Sequence, residues 1–463
     1  MALKLYNTLS REKEEFKPLE EGRVKMYSCG QTIYDDVHIG NARAYVVWDT
    51  LRRYLEYKGY SVRHVQNITD VGHLTDDGDQ GEDKVEKRAN ELGLEPMELV
   101  ETQIQRYFED TQSLNIERQN IVPRATGHIN EMIYYIKEII QNGYAYEAEG
   151  SVYFDVEAFA EDYPYGEMAK KDVEQLKSEA QARVDHDDNK RNQFDFALWI
   201  NADKNHAMKW ESPWSEGYPG WHLECSVMSQ KYLGAEFDIH AGGKDHIFPH
   251  HPNERAQAFA ASGKGQSKYW IHNEFIRVEG EKMSKSKGNF YTVRELLQEG
   301  FSGDSIRLYI NSAHYRSETD FSKNGIEKAE KELKKLRKAY KLSDGEGLET
   351  EAEALEKEFL EFMDDDLNTP KAKQALLKFA GKVNSRGEAS EQAGMTLRKL
   401  SKVLGVDIKT PVSAREASMA DMLLDVRDNA REEGDYKLSD FIRDQLEELG
   451  FEVEDSDEKS KWY

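Results

Sequence analysis

The chain of 463 residues holds only two cysteines, Cys29 and Cys225. Two distant thiols make no disulfide framework, and they fit a reducing cytoplasm. No run of about 18 apolar residues occurs, so no segment reads as a membrane span. The opening stretch, MALKLYNTLSREKEEF, is too polar for a signal peptide. Internal repeats are absent, as are CxxC pairs, an HExxH helix and EF-hand spacing. Basic residues are scarce: 63 Lys and Arg stand against 88 Asp and Glu, a formal net charge of −25. Proteins that grip nucleic acid ordinarily show a basic face, because phosphate contacts dominate affinity. Three readings follow. Nucleic acid is not a partner, or a basic groove hides within the acidic average, or the protein works in a salt-rich cytoplasm where repulsion is screened over about 3 Å at 1 M. The last two together are the expectation.

The densest chemistry lies between Gly220 and Glu254, in GWHLECSVMS and KYLGAEFDIHAGGKDHIFPHHPNERAQ. Four residues separate His250 from Glu254, which puts both on one face of a helix. With Cys225 they offer sulfur, nitrogen and oxygen, the ligand types of zinc. Cys29 sits in a second dense stretch, YSCGQTIYDDVHIGNAR. Spacing alone leaves two readings open: two buried free thiols, or one site shared by both cysteines.

His38-Ile39-Gly40-Asn41 follows a strand expected over Val24–Tyr27 and opens a helix expected over Ala42–Tyr57. Glycine there lets a nucleotide approach the backbone, and a helix N-terminus favours phosphate. Downstream, Lys282-Met283-Ser284-Lys285-Ser286-Lys287-Gly288-Asn289 supplies the lysines, hydroxyls and glycine of a clamp on polyphosphate.

In this order the motifs resemble the cysteinyl-tRNA synthetases of class I. HIGN resembles the HIGH signature and KMSKS matches the second signature. Cys29, GWHLEC, FPHHPNE and KMSKSKGN carry the likeness. RATGHI at 124–129, DFALW at 195–199, HYR at 314–316, DDLNTP at 365–370 and DFIRDQLEELG at 440–450 extend it over nearly the whole chain. The resemblance implies zinc, one per chain, held by Cys29, Cys225, His250 and Glu254 and binding a substrate thiolate. It implies ATP contacts from Gln31, His38, Gly40, Asn41 and Lys285, with Mg²⁺ carried by the ATP. Catalytic roles would fall to Lys285, His38, Asn41 and Lys282, and the cysteine pocket to Thr69, Trp221, His222 and His240. L-cysteine, ATP and tRNA(Cys) would be the partners of a cytoplasmic monomer. Three departures stand out: Asn41 for histidine, Gln31 for proline, and Pro252 for glutamate between two expected ligands. A proline suits a helix's first turn. Ser215 and Tyr218 also depart from the pattern, and no role is carried onto them.

The fold class expected is α/β: a Rossmann-like parallel sheet with an insertion, then an all-α bundle. The expected divisions are 1–125 and 201–325 for the two half-sheets, 126–200 for an acceptor-stem-binding insertion, and 326–463 for an anticodon-binding bundle. Val62–Ile68 alternates like a strand and delivers Thr69 to the sheet's carboxyl edge. Thr75–Asp83 reads as a surface loop. Within the insertion, Ile129–Ile140 reads as a helix and Tyr144–Val156 as a hairpin around Glu149-Gly150. Lys170–Asn192 reads as helical or partly disordered. Phe237–His240 reads as a short strand running into a turn at Ala241-Gly242-Gly243. Helical periods occur at 327–340, 351–363, 370–384, 390–404 and 414–432, with an acidic linker over Ser343–Thr350. The last segment, from Asp435, carries Arg443, Lys459, Lys461 and Trp462. No motif indicates a hydrolytic editing domain.

Other functions remain in view at this level. A ligase passing activated cysteine to an amino sugar would share every active-site residue but lack the bundle. A nucleotidylyltransferase would explain HIGN and the lysine loop but not the Cys–His–Glu set. A zinc-dependent RNA-binding protein would leave KMSKS idle.

Overall fold

The computed structural model describes all residues except 1, 76–80, 172–173, 176–177, 179–186, 205, 279, 284–288, 410–413, 449–450, 452, 456–459 and 463. At its centre lies a four-stranded parallel sheet in the order Gln266–Asn273, Glu236–Gly243, Arg23–Thr32, Ser61–Thr69. Parallel neighbours require crossovers. Helix Ile39–Tyr57 links Arg23–Thr32 to Ser61–Thr69, and helix His250–Ser262 links the other two strands. Helix cover on both faces explains the apolar runs in these strands. Met26, Tyr27, Phe237, Ile239, Trp270 and Ile271 are all fully buried. The chain leaves Arg23–Thr32 on one side and returns on the other at Glu236–Gly243. Strand order reverses there, and the ligand crevice of such sheets opens beyond the carboxyl ends at the reversal.

Several elements run beyond their sequence-based bounds. The first central strand continues to Thr32, through a register shift between Ser28 and Gln31. The following helix starts at Ile39, because His38 caps it. Ala241-Gly242-Gly243 is not a turn. The strand runs to Gly243 and pairs Gly242 with His272 and Gly243 with Asn273. Glycine is needed at 242 for room: a Cβ there would stand 2.7 Å from ring atoms of both His246 and His251.

Helix Ile129–Gln141 precedes a hairpin, Ala145–Ala148 and Ser151–Phe154. Its two turn residues, Glu149 (φ 49°) and Gly150 (φ 82°), are both left-handed, as a two-residue turn matched to strand twist requires. The hairpin belongs to a five-stranded antiparallel sheet that passes residue 200, adding Phe196–Asn201, Glu216–Pro219 and Trp210–Glu211. Most of 170–192 lies outside the described residues.

Helices Lys323–Lys341, Glu349–Asp364, Thr369–Arg386 and Glu391–Val403 form the bundle. Ile326, Ala329, Leu333 and Leu336 repeat at helical spacing and are buried. The expected acidic linker is shorter, because helix Glu349–Asp364 takes in Thr350. Buried polar contacts lock the bundle to the sheet domain. Arg307 pairs with Asp49 and donates to the Leu404 carbonyl at 2.6 Å. Tyr54 donates to Asp364 at 2.6 Å. Asp366 accepts from the Tyr6 backbone, the Tyr315 hydroxyl and Arg316. Helices Ala414–Glu432 and Tyr436–Glu448 close a separate small core of Ala420, Leu424, Ile442, Leu446 and Val453. Among the described residues, no helix is long and apolar enough to cross a membrane.

Candidate active site

Two residues of the strand Arg23–Thr32, Cys29 and Gly30, stand opposite the single Asn67 of Ser61–Thr69. This is a β-bulge, which bends a strand and re-aims its side chains. The backbones come too close for any side chain at 30: a Cβ on Gly30 would stand 1.6 Å from the Asn67 carbonyl oxygen. The Gly30 N–H donates to the Asn67 side chain at 2.9 Å. Cys29 is thereby fixed at the carboxyl edge of the sheet.

Two helices face it. Trp221–Leu233 brings Cys225 one turn in from its start, and His250–Ser262 brings His250, His251 and Glu254 in its first two turns. Pro252 sits in the first turn, where a helix tolerates proline, and the His250–Glu254 pitch is kept. His250 Nε2 lies 3.1 Å from Glu254 Oε1. The donor atoms of Cys29, Cys225, His250 and Glu254 all lie within 4.8 Å of one another, and all four residues are buried.

Burial opposes every charge here, and neighbours decide which forms survive. Burial would raise the Glu254 carboxyl, but His240 and His250 outweigh it and hold it well below the ordinary carboxylate range. Burial would lower His250, but Glu254 and Cys225 push it up to about 10. A hydrogen bond from Cys29 brings Cys225 down to about 6 against its burial. Burial sends Cys29 the other way. Two sulfurs, an imidazole and a carboxylate brought together and buried are a donor set that fits zinc once the ring gives up its proton.

Thr69, Trp221 and His240 stand around this cluster. Thr69 ends its strand and donates to Glu224 Oε2 at 2.7 Å. Glu224 is buried, and burial raises its carboxyl well above the ordinary range. Trp221 stacks on His73 with ring centroids 4.0 Å apart. His240 Nε2 lies 3.3 Å from Glu254 and 3.8 Å from the Cys29 sulfur.

The HIGN turn follows the same strand. His38 Nδ1 accepts from the backbone of Gly40 and Asn41 at 3.1 and 3.3 Å. Burial lowers the ring to about 4. Gln31 Nε2 donates to the Asp35 carbonyl at 2.7 Å. The second signature packs over this turn: a Cβ on Gly40 would meet the Met283 methyl at 3.0 Å. The chain beyond is zipped to it, Ile39 donating to Tyr291 and Val293 to Val37 at 3.0 and 2.8 Å. Lys285 and Lys287 lie outside the described residues, as does Lys459. Lys282 falls in the short strand Glu281–Lys282.

Sequence reasoning passed over His251, His272 and Glu224, and named His222 only as a residue of the substrate pocket. His251 Nε2 lies 3.2 Å from the Cys29 sulfur, and its Nδ1 lies 2.8 Å from His272 Nε2. His222 Nδ1 lies 2.8 Å from His250 Nδ1. The His250-His251 doublet was a signal, since spacings of three and four residues to Glu254 share a helix face.

The chain matches the family model of the class I (C) tRNA synthetase catalytic domain over residues 15–331 and the DALR domain over 358–409. It is 43% identical to a cysteine–tRNA ligase of Desulfitobacterium hafniense, covering 100% of this chain and 99% of that protein. It is 44% identical to one of Thermus thermophilus, at 100% and 99%. Among solved structures, a Mycobacterium tuberculosis methionyl-tRNA synthetase with methionyl-adenylate superposes with a TM-score of 0.59 at 16% identity, covering 82% of this chain and 89% of that one. That likeness bears on the fold alone. The chain belongs to the class I aminoacyl-tRNA synthetases, in the branch of the cysteine–tRNA ligases.

Proposed function

We propose that the protein activates L-cysteine with ATP, giving cysteinyl-adenylate and pyrophosphate, and passes the cysteinyl group to tRNA(Cys). The observation that carries this is the buried Cys29–Cys225–His250–Glu254 set at the carboxyl edge of the sheet, beside the HIGN turn that opens helix Ile39–Tyr57. Those four residues would hold zinc, which when bound supplies a soft Lewis acid that favours a thiolate over a hydroxyl.

The rest is positioning and charge. Thr69 and Trp221 border the pocket, and His240 stands at its floor. His38 spends Nδ1 on its cap, so Nε2 is the ring donor left for phosphate or ribose. Gly40 keeps the space for adenine, with Asn41 and Gln31 beside it. Lys285, with Lys282, would neutralise the departing pyrophosphate, and Mg²⁺ would arrive with ATP. Transfer to the terminal ribose of tRNA needs no protein nucleophile.

The helices after 323 support tRNA over an amino-sugar acceptor, which has no use for them. A concavity of about 420 Å³ between helices Ile39–Tyr57 and Glu391–Val403 is of mixed charge: Arg53, Arg398, Lys399 and Lys402 share its lining with Glu56 and Glu117. Anticodon reading is assigned to the bundle and its C-terminal unit, acceptor-stem contact to the small antiparallel sheet, and the working form to a cytoplasmic monomer. Aminoacylation of total tRNA with each amino acid in turn tests the function. Cysteine alone should be attached, and charging with another amino acid but not cysteine would overturn it.

A further inference from the structure

The pocket holds a second donor set. Cys29, His240, His251 and Glu254 also bring one ligand atom each to within 4.8 Å of one another, and all four are buried. The two sets share Cys29 and Glu254. They differ in exchanging Cys225 and His250 for His240 and His251.

His251 is seated as a ligand would be. A metal-binding imidazole ordinarily has its other nitrogen held by an outer partner, which fixes its tautomer and orientation. His251 Nδ1 lies 2.8 Å from His272 Nε2, and His272 Nδ1 lies 2.8 Å from the Thr8 hydroxyl. This anchors the ring to a strand and to the N-terminal segment. The strand opposite makes room for it, since a Cβ at Gly242 would stand 2.7 Å from the ring. Nε2 is thereby aimed at the Cys29 sulfur, 3.2 Å away. His240 Nε2 completes the set 3.3 Å from Glu254 Oε2, the carboxylate oxygen that His250 does not face. Glu254 Oε1 lies between His250 and His251, at 3.1 and 3.8 Å, while Oε2 faces His240.

The two sets cannot both be filled at once, because they share two of their four ligands. We propose that the metal site of this chain has two overlapping positions that pivot on Cys29 and Glu254. His251 and His240 take over when Cys225 and His250 are released. The inference rests on the metal reading above. It predicts an asymmetry that a single four-ligand site does not have: the two shared ligands are indispensable, and the two others are replaceable.

The test is metal content and ligand type in the full chain, without reference to activity. Wild type, Cys29→Ser, Glu254→Gln, Cys225→Ser, His250→Gln and Cys225→Ser/His251→Gln are purified in zinc and again in cobalt. Content is measured by elemental analysis, and sulfur ligation by the cobalt–thiolate absorption. Thermal melts of the metal-stripped proteins show which variants fold. Cys225→Ser and His250→Gln should keep roughly one metal per chain, at reduced affinity. Cobalt–thiolate absorption should fall by about half in Cys225→Ser, as one of two sulfur ligands is lost. Cys29→Ser and Glu254→Gln should be empty, and adding His251→Gln to Cys225→Ser should empty that variant too. If Cys225→Ser is folded and as empty as Cys29→Ser, the second position does not exist. The same follows if His251→Gln leaves the metal content of Cys225→Ser unchanged. A wild type without metal would remove the metal reading itself, and this inference with it.

Discussion

The ring of His38 caps the helix it opens, its Nδ1 accepting the Gly40 backbone N–H at 3.1 Å. One side chain therefore has a structural atom and a free one, and substitutions can separate them. Asparagine is a good N-cap and alanine a poor one, by about 0.5–2 kcal/mol. His38→Asn should melt near the wild type and His38→Ala several degrees lower. Both should slow cysteine-dependent ATP–pyrophosphate exchange by about 10²–10³, the effect of losing a donor aimed at developing charge. Lys285→Ala should do the same with little change in the KM for cysteine. Full exchange activity in His38→Asn would confine His38 to capping.

His64 gives a pH signature away from the pocket. Its Nε2 lies 2.8 Å from the Ser28 hydroxyl, and burial, aided by Arg52, lowers it to about 3. A base whose pKa falls on folding binds fewer protons native than unfolded. Its stabilising effect is complete above about pH 6.5, the unfolded value, and is lost as the pH falls toward 3. The stability of wild type relative to His64→Gln should rise from about pH 4 to 6.5 and level off above. Denaturant melts at stepped pH measure it; an opposite slope would contradict the burial of a neutral ring.

Much of this arrangement is legible in the sequence, and the gaps have physical causes. Helical periods located the bundle because Ile326, Leu333 and Leu336 are buried at that spacing. Gly242 misled: glycine in a strand reads as a turn, although it serves the close approach of His251. His251 was eclipsed because His250 gives the four-residue spacing to Glu254, while three residues serves as well. The pairing of Arg307 with Asp49 has no local pattern at all.

That pairing decides where the chain can be cut. Removing everything after 330 would strip the Leu404 carbonyl from Arg307 and expose the face that Leu333 and Leu336 cover. Such a chain should be insoluble. A chain ending at Lys409 loses only the unit with its own core. It should melt like the full chain, activate cysteine normally and charge tRNA poorly. Normal charging would take anticodon reading away from the C-terminal unit.

The charge of −25 implies self-repulsion that salt relieves. The melting temperature should rise from about 0.1 to 2 M KCl, over which screening tightens severalfold. A flat or falling curve would remove the salt-adapted reading. Charging at high salt would further require tRNA contacts that release few counterions.

The central claim is that the metal held near Cys29 and Glu254 selects the amino acid. Serine differs from cysteine by oxygen for sulfur, and an apolar pocket separates such near-isosteres by only about 10–200-fold. No editing motif compensates. The direct measurement is ATP–pyrophosphate exchange with cysteine and with serine, using zinc-loaded wild type, metal-stripped wild type and Glu254→Gln. The loaded enzyme should prefer cysteine by at least about 10⁴ in kcat/KM, beyond what binding alone supplies. The ratio should collapse in the other two, through loss of cysteine activation. The same preference in metal-free protein would contradict the account.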